Sequence, residues 1–128
     1  PGFVLADDEI EFGIGIHGEP GYRKEKMQPS KDLAKELVEK LSQSVGLKSG
    51  KKIGILINGM GATPLMEQYV FAADVANLLA DVGVEVVYKK LGNYMTSIDM
   101  AGISLTFIGL DQPDWLTALN SPVTTAAW

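Results

Sequence analysis

The sequence predicts an α/β domain, a two-layer sandwich with a mixed β-sheet and helices mainly on one face. Segments of alternating or continuous apolar residues, typical of strands, are interleaved with segments in which apolar residues recur at helical spacing. The predicted order of elements is β-α-β-α-β-β-α, which allows both parallel and antiparallel strand pairs. The helices are too few to cover both faces of a sheet, so we expect one covered face.

The composition indicates a single globular domain over residues 1–128. The chain is 46% hydrophobic and 21% charged, and its net charge is -5. That charge argues against nucleic acid or an anionic membrane as the main partner, because both bind basic surfaces. The chain has no cysteine, which excludes disulfides and thiolate metal sites, and no apolar run approaches the ~20 residues that span a bilayer. We therefore expect a cytoplasmic protein.

The first predicted strand and helix frame the start of the domain. In the strand, which covers residues 10–16, apolar side chains alternate with Glu11, glycines and His17. The apolar positions of this strand are Ile10, Phe12, Ile14 and Ile16. If they face the helices, His17 points away from the helices at the end of its strand. The helix is predicted to begin with Ser30 as N-cap and to end at Gly46. Its apolar positions are Leu33, Leu37, Leu41 and Val45.

The second half of the chain is predicted to contain three strands and two helices. The apolar run at residues 51–58 predicts a buried strand. Thr63 is the predicted N-cap and Pro64 the first residue of a second helix, which ends before Gly83. The remaining predicted elements are strands at 84–91 and 103–109 and a short helix that starts near Pro113.

The glycines around the histidine spell the dinucleotide-binding pattern G-x-G-x-x-G, at Gly13, Gly15 and Gly18. That pattern needs a glycine turn that runs directly into a helix, whose N-terminus meets the pyrophosphate. Here Glu19 follows, and the next predicted helix begins only near Ser30. The motif match therefore lacks its required context.

Three other polar groupings have ordinary structural explanations. One imidazole and one carboxylate, His17 and Glu19, are too few ligands for a metal ion. The glycine loop at 58–64 lies where a helix start can bind an anion, but a tight strand-to-helix connection also explains it. Turn formation likewise explains the polar side chains of Thr96, Ser97 and Asp99.

His17 is the only histidine of the chain and the strongest candidate site residue. A lone histidine is often a core residue that is held by one hydrogen bond. The alternation, however, places His17 off the apolar face and next to a loop, where functional side chains are common. The pattern alone leaves both interpretations open.

Three blocks of sequence resemble a known family. "GIGIHGEPG", "NGMGATPLMEQY" and "YMTSIDMAGISLT" occur in this order and together span most of the chain. They resemble the C-terminal part of the dihydroxyacetone-binding K component of dihydroxyacetone (glycerone) kinases. The resemblance implies that residues 1–128 are the C-terminal domain of that component. It also implies a mixed sheet of about six strands and a homodimeric whole protein.

In this family the histidine of the first block forms a covalent hemiaminal with the ketone of dihydroxyacetone, and the matching residue is His17. The resemblance therefore implies that His17 is both the catalytic and the substrate-binding residue. A neutral imidazole nitrogen can add to a ketone carbon, and an ordinary imidazole is partly neutral at cytoplasmic pH. The neighbouring glycines would let the substrate and a facing protein surface approach closely.

The resemblance also implies which parts lie outside this chain. The general base belongs to the N-terminal part of the K component, so these 128 residues alone are expected to be inactive as a kinase. The chain is expected to hold no cofactor or metal. Its phosphoryl donor is either an ADP-bearing L subunit that a phosphotransferase protein recharges or ATP on another domain.

Two alternatives remain from the sequence. Non-catalytic paralogues in this family bind dihydroxyacetone as a signal and activate a transcription regulator, and they keep the histidine. A structural domain without a ligand is the other alternative, which the absence of any adduct would favour.

Overall fold

A central β-sheet with two helices on one face is the main body of the molecule. The structure is a computed structural model that describes residues 4–128. The elements, in chain order, are β1 (Glu9–Phe12), β2 (Arg23–Lys26), α1 (Ser30–Val45), β3 (Lys52–Gly59), α2 (Leu65–Asp81), β4 (Glu85–Gly92), β5 (Ile103–Gly109) and α3 (Pro113–Leu119).

The main sheet has the strand order β4-β3-β5 and is mixed, as predicted. The pair β3–β4 is parallel because α2 carries the chain back across the sheet between them. The pair β3–β5 is antiparallel, with Ile55 opposite Phe107. The strand β3 lies in the centre, which explains why its sequence is almost continuously apolar.

Both long helices cover the same face of this sheet, which confirms the predicted two-layer arrangement. Every second residue of β3, namely Ile53, Ile55 and Ile57, points into one core cluster and is almost fully buried. The helices contribute Ala34, Val38, Phe71, Val75 and Leu79 to that cluster. Burial of such side chains is the main source of stability, at about 1.5–3 kcal/mol for each large one.

The helix starts differ from the prediction by one residue each. The N-caps are Pro29 and Pro64, both in extended backbone conformation, rather than Ser30 and Thr63. The Ser30 hydroxyl donates instead to Asp74 of the other helix, and the Thr63 hydroxyl to the carbonyl of Gly102. The two hydroxyl groups thus bind residues of other elements instead of capping their own helices. The helix α1 ends as predicted, with Gly46 in the left-handed conformation.

The predicted first strand is largely wrong. β1 ends at Phe12, and it pairs with the unpredicted β2 in a separate two-stranded antiparallel sheet. A positive φ of 73° at Gly13 turns the chain out of extended conformation. Consequently Ile16 does not face the helices but is 68% exposed. Residues 4–128 hold five strands in two sheets, rather than one sheet of six.

Candidate functional site

The histidine lies in a ten-residue connection between β1 and β2, residues 13–22, which we call the histidine loop. It therefore lies beyond the end of its strand and not at it. Two backbone N–H groups close the neck of the loop. That of Tyr22 donates to the carbonyl of Phe12 (2.9 Å), and that of Gly21 donates to Oε1 of Glu11 (2.7 Å). Hydrogen bonds thus hold the two ends of the loop together at the end of the hairpin.

Glu11 is a positioning residue that the sequence pattern did not reveal. The alternation placed it on the solvent side of the strand, yet its side chain is only 2% exposed. Besides the bond to Gly21, its other oxygen lies 3.9 Å from Nζ of Lys24. No local pattern signals this role, because it depends on the chain returning beside Glu11 ten residues later.

Glu19 organises the centre of the histidine loop around His17. Its Oε2 accepts the backbone N–H of His17 (3.0 Å), and its Oε1 lies 3.3 Å from His17 Nδ1. Its carbonyl accepts the N–H of Gly15 (2.9 Å), while Gly18 donates to the carbonyl of Gly15 (3.0 Å). A side chain at Gly15 would collide with the Glu19 carboxylate, which explains the glycine there.

The carboxylate of Glu19 is ionised at neutral pH. Hydrogen bonds to the backbone N–H groups of Glu19 itself and of His17 hold the pKa of this carboxyl below its ordinary value. The imidazole of His17 is 83% exposed. Its Nε2 is the ring nitrogen that takes no part in the contact with Glu19. The loop therefore offers an imidazole that is held on one side and open to solvent on the other.

A polar and aromatic cluster anchors the last residue of the loop to helix α1. The hydroxyl of Tyr22 donates to Glu36 Oε1 (2.6 Å), and Arg23 bonds the other oxygen of the same carboxylate. The ring of Tyr22 also packs near Phe12 and lies beneath Nζ of Lys40, 4.3 Å from the ring centroid. Burial, and then the Glu36 carboxylate, raises the pKa of Tyr22 to about 12. The hydroxyl thus remains a donor through the physiological range.

A second pair of connections lies at one end of the main sheet, at residues 60–64 and 93–102, which we call the sheet-end loops. Asn58 is 3% exposed and binds one loop through three hydrogen bonds. Its Oδ1 accepts from the N–H groups of Tyr94 (2.7 Å) and Met95 (2.8 Å), and its Nδ2 donates to the carbonyl of Met95 (2.8 Å). Buried Gln68 donates to the Thr63 carbonyl (2.9 Å) and to Asn93 Oδ1 (2.7 Å).

Backbone contacts complete this region. The N–H of Ser97 donates to the Met60 carbonyl (2.8 Å), and the N–H of Met100 donates to the Ser97 carbonyl (3.0 Å). Gly61 has a φ of 139°, and a side chain there would collide with the carbonyl of Ile98. These contacts agree with the structural interpretation of both segments as tight connections.

The surroundings of the glycine pattern do not match a dinucleotide site. Gly13, Gly15 and Gly18 lie in the histidine loop, but the strand β2 follows that loop, not a helix. Within residues 4–128 there is no cluster of three or more side chains of the types that bind metal ions. In the same part of the chain, no helix is both long and apolar enough to span a membrane.

Comparison with known proteins decides the family. The model of the Dak1 domain matches residues 1–127. The chain belongs to the Dak1 domain family. This finding confirms the resemblance to dihydroxyacetone kinases that the three sequence blocks carried.

Members of the Dak1 family with high similarity include two proteins of Lactococcus lactis subsp. lactis (strain IL1403). The dihydroxyacetone-binding subunit DhaK of its PTS-dependent dihydroxyacetone kinase is 60% identical over 128 residues, which are 100% of this chain and 39% of that protein. The DhaKLM operon coactivator DhaQ is 52% identical over 98% of this chain and 39% of that protein.

Among solved structures, a dihydroxyacetone kinase operon co-activator, Dha-DhaQ, superimposes with a TM-score of 0.88 at 51% identity. The match covers 94% of this chain and 38% of that one. This Dak1 chain thus spans about two fifths of the length of the relatives it matches. The mixed α/β fold with helices on one face agrees with that of its structural neighbour.

Proposed function

We propose that this chain is the substrate-capturing part of a dihydroxyacetone kinase, in which Nε2 of His17 adds to the ketone carbon of dihydroxyacetone. One observation carries the proposal. In a chain of the Dak1 family, the single imidazole is 83% exposed and is held by Glu19 through Nδ1 alone. A histidine with a structural role in the core would be buried and enclosed by partners.

The chemistry suits a very small substrate. Dihydroxyacetone has few atoms with which a protein can make contacts, so a covalent bond supplies the orientation that contacts alone cannot. The bond also discriminates between substrates, because glycerol has no electrophilic carbon for the imidazole to attack. Exposure of His17 suits such capture, since a facing protein surface would have to enclose the adduct.

The remaining parts of the reaction belong to other parts of the protein or its partners. We propose that these residues form the C-terminal domain of the K component and that the general base lies in its N-terminal part. The phosphoryl donor would be an ADP-bearing L subunit or ATP on another domain, and the name of a relative, PTS-dependent dihydroxyacetone kinase, favours the first. We further propose a homodimeric whole protein. On its own, the 128-residue chain should not phosphorylate dihydroxyacetone.

A second candidate function is supported by the coactivator relatives. DhaQ is 52% identical to this chain, and the Dha-DhaQ structure superimposes closely. The same capture of dihydroxyacetone would then serve as a signal that activates a transcription regulator. Both candidates require the adduct on His17, and they differ only in the use that the protein makes of the adduct.

Intact-protein mass spectrometry tests the capture step. The complete natural polypeptide that contains these residues is incubated with dihydroxyacetone or with glycerol. We expect a mass gain equal to the whole ketone, without loss of water, with dihydroxyacetone only. A lysine imine would instead show loss of water. The gain should disappear in His17→Ala and persist in Ile16→Ala, a matched change at an exposed neighbour.

Persistence of the adduct in His17→Ala would contradict the proposal. A phosphorylation assay with the donor then separates the two candidate functions. Formation of dihydroxyacetone phosphate by the wild-type protein supports the kinase. An adduct without turnover, in the presence of every donor component, supports the sensor.

A further inference from the structure

We propose that Glu19 is a positioning residue, which keeps the proton of the neutral His17 imidazole on Nδ1 and thereby leaves the lone pair on Nε2 to attack the substrate. This inference rests on the proposed function for the attack itself. The choice of tautomer is a property of the chain without substrate, so the two can be tested separately.

The geometry singles out Glu19 among the carboxylates around the loop. Its two oxygens engage two different groups of one residue, the backbone N–H of His17 (3.0 Å) and the ring atom Nδ1 (3.3 Å). The N–H of Gly15 binds the Glu19 carbonyl, so the backbone of Glu19 is fixed as well as its side chain. Replacing Gly15 by any larger residue would displace the carboxylate.

The charge of Glu19 determines which way the ring hydrogen bond runs. An ionised carboxylate only accepts hydrogen bonds, and the lowered pKa of this carboxyl keeps it ionised at neutral pH. Nδ1 must therefore donate, which requires the proton on Nδ1. In a neutral imidazole one nitrogen carries the proton and the other the lone pair, so Nε2 becomes the nucleophile.

The same contact serves the addition step. As Nε2 forms its bond to the ketone carbon, the π electrons of the carbonyl move to oxygen, and the ring becomes cationic. The nearby carboxylate stabilises this positive charge. The Nδ1 proton then leaves to solvent through Glu19, while the former carbonyl oxygen takes a proton from solvent. The product is a neutral hemiaminal that contains every atom of the ketone.

Imidazole ¹⁵N NMR tests the tautomer directly. Histidine is labelled with ¹⁵N, and the spectrum is recorded at about pH 8.5, where an ordinary imidazole is neutral. His17 is the only histidine of these 128 residues, and His17→Gln identifies its signals in a longer polypeptide. We expect the wild-type ring to carry its proton mainly on Nδ1.

Glu19→Gln is the informative variant. The amide keeps the size of the side chain, and its oxygen can still accept the backbone N–H of His17. Its NH₂ group, however, donates toward Nδ1 and favours the proton on Nε2. We expect the ring to change to the Nε2-protonated tautomer and the rate of adduct formation to fall roughly tenfold, the lower end of the loss known for carboxylates that orient metal-binding histidines. The matched control is Glu39→Gln, which removes an exposed carboxylate on α1 and should change neither the tautomer nor the rate of adduct formation.

Two results would overturn the inference: a wild-type ring protonated mainly on Nε2, or the same tautomer in wild type and Glu19→Gln. Glu19→Asp should restore part of the wild-type tautomer, which a merely structural role would not require. If the tautomer depends on Glu19 but the wild-type protein forms no adduct, the proposed function fails and the positioning role of Glu19 stands.

Discussion

The histidine loop and the sheet-end loops both begin where strands end, yet they are held in different ways. The buried amides of Asn58 in β3 and Gln68 in α2 fix the sheet-end loops from the interior of the domain. The histidine loop leaves a two-stranded hairpin, and its central contacts are made by the exposed pair His17 and Glu19.

Under the proposed function, this difference separates the groups that stabilise the fold from those that take part in the chemistry. Removal of a buried amide leaves its partners without a hydrogen bond, and the free energy of unfolding falls by the full cost of their desolvation. Removal of an exposed carboxylate changes the free energy of unfolding little, because water takes its place. Changes in the sheet-end loops should therefore affect folding, whereas changes at the centre of the histidine loop should affect the reactivity of one imidazole.

The largest effect on stability is expected for Asn58→Ala. This change leaves the N–H groups of Tyr94 and Met95 and the Met95 carbonyl without their partner. We expect the free energy of unfolding to fall by about 2–3 kcal/mol. Urea denaturation measures it, with Asn120→Ala as control, since the side chain of Asn120 bonds only to Leu116 in an exposed helix end. A loss of stability for Asn58→Ala no larger than that for Asn120→Ala would contradict the distinction between the two regions.

A smaller but clear loss is expected for Gly21→Ala at the neck of the histidine loop. A Cβ at this position would collide with the Phe12 carbonyl, so the neck must open. We expect a loss of about 1–3 kcal/mol. Gly18→Ala is the matched control: its φ is 86°, but it has open space, so only the backbone strain of roughly 1 kcal/mol applies. Denaturation curves and amide hydrogen exchange should rank the two variants in this order, and the reverse ranking would refute the closed neck.

The anchor of the loop to helix α1 should weaken at high pH. Because the folded state raises the pKa of Tyr22 from 10.0 to about 12, its contribution is complete below pH 10.0 and is lost as the pH rises toward about 12. Absorbance of the phenolate should reveal this late titration, and Tyr22→Phe should remove it at a cost within about 1 kcal/mol. Tyr69→Phe, at an exposed position of α2, should leave it in place. Burial also raises the pKa of Tyr94, so the difference between the wild-type and Tyr22→Phe titrations isolates the Tyr22 component. A difference with no late component would exclude this assignment.

The smallest effect on stability is expected for the residue to which the proposed function assigns the chemistry. His17→Ala removes an exposed side chain whose only bonds are to Glu19, so the free energy of unfolding should change by no more than about 0.5 kcal/mol. Thermal denaturation checks the prediction. A larger loss would mean that the imidazole holds the loop together, and the contrast between the two regions would then fail.

Much of the main sheet could be predicted from the sequence. The predicted strand at residues 103–109 has the observed bounds, and the apolar run at 51–58 lies within one residue of β3 at each end. The predicted end of α1 at Gly46 and the predicted start of α3 at Pro113 also agree with the structure. These features depend on local pattern, which a sequence displays directly.

The hairpin could not be predicted in this way. The four charged residues of β2 carry no apolar alternation, and they form a strand only because β1 lies beside them. For the same reason, the apolar pattern of residues 10–16 suggested a longer strand than the four residues that pair. Pairing between distant segments decides such cases, not the propensity of either segment.

By itself the sequence determined the α/β class, the core helices and strands, and the identity of the one histidine block, because each is written in neighbouring residues. Only the tertiary structure decided which groups surround that histidine. The return of the chain at Gly21 buries Glu11, and the fold of the loop brings Glu19 against the His17 ring. These contacts join residues ten and two positions apart, and they form only where the loop closes, which no periodicity in the sequence encodes.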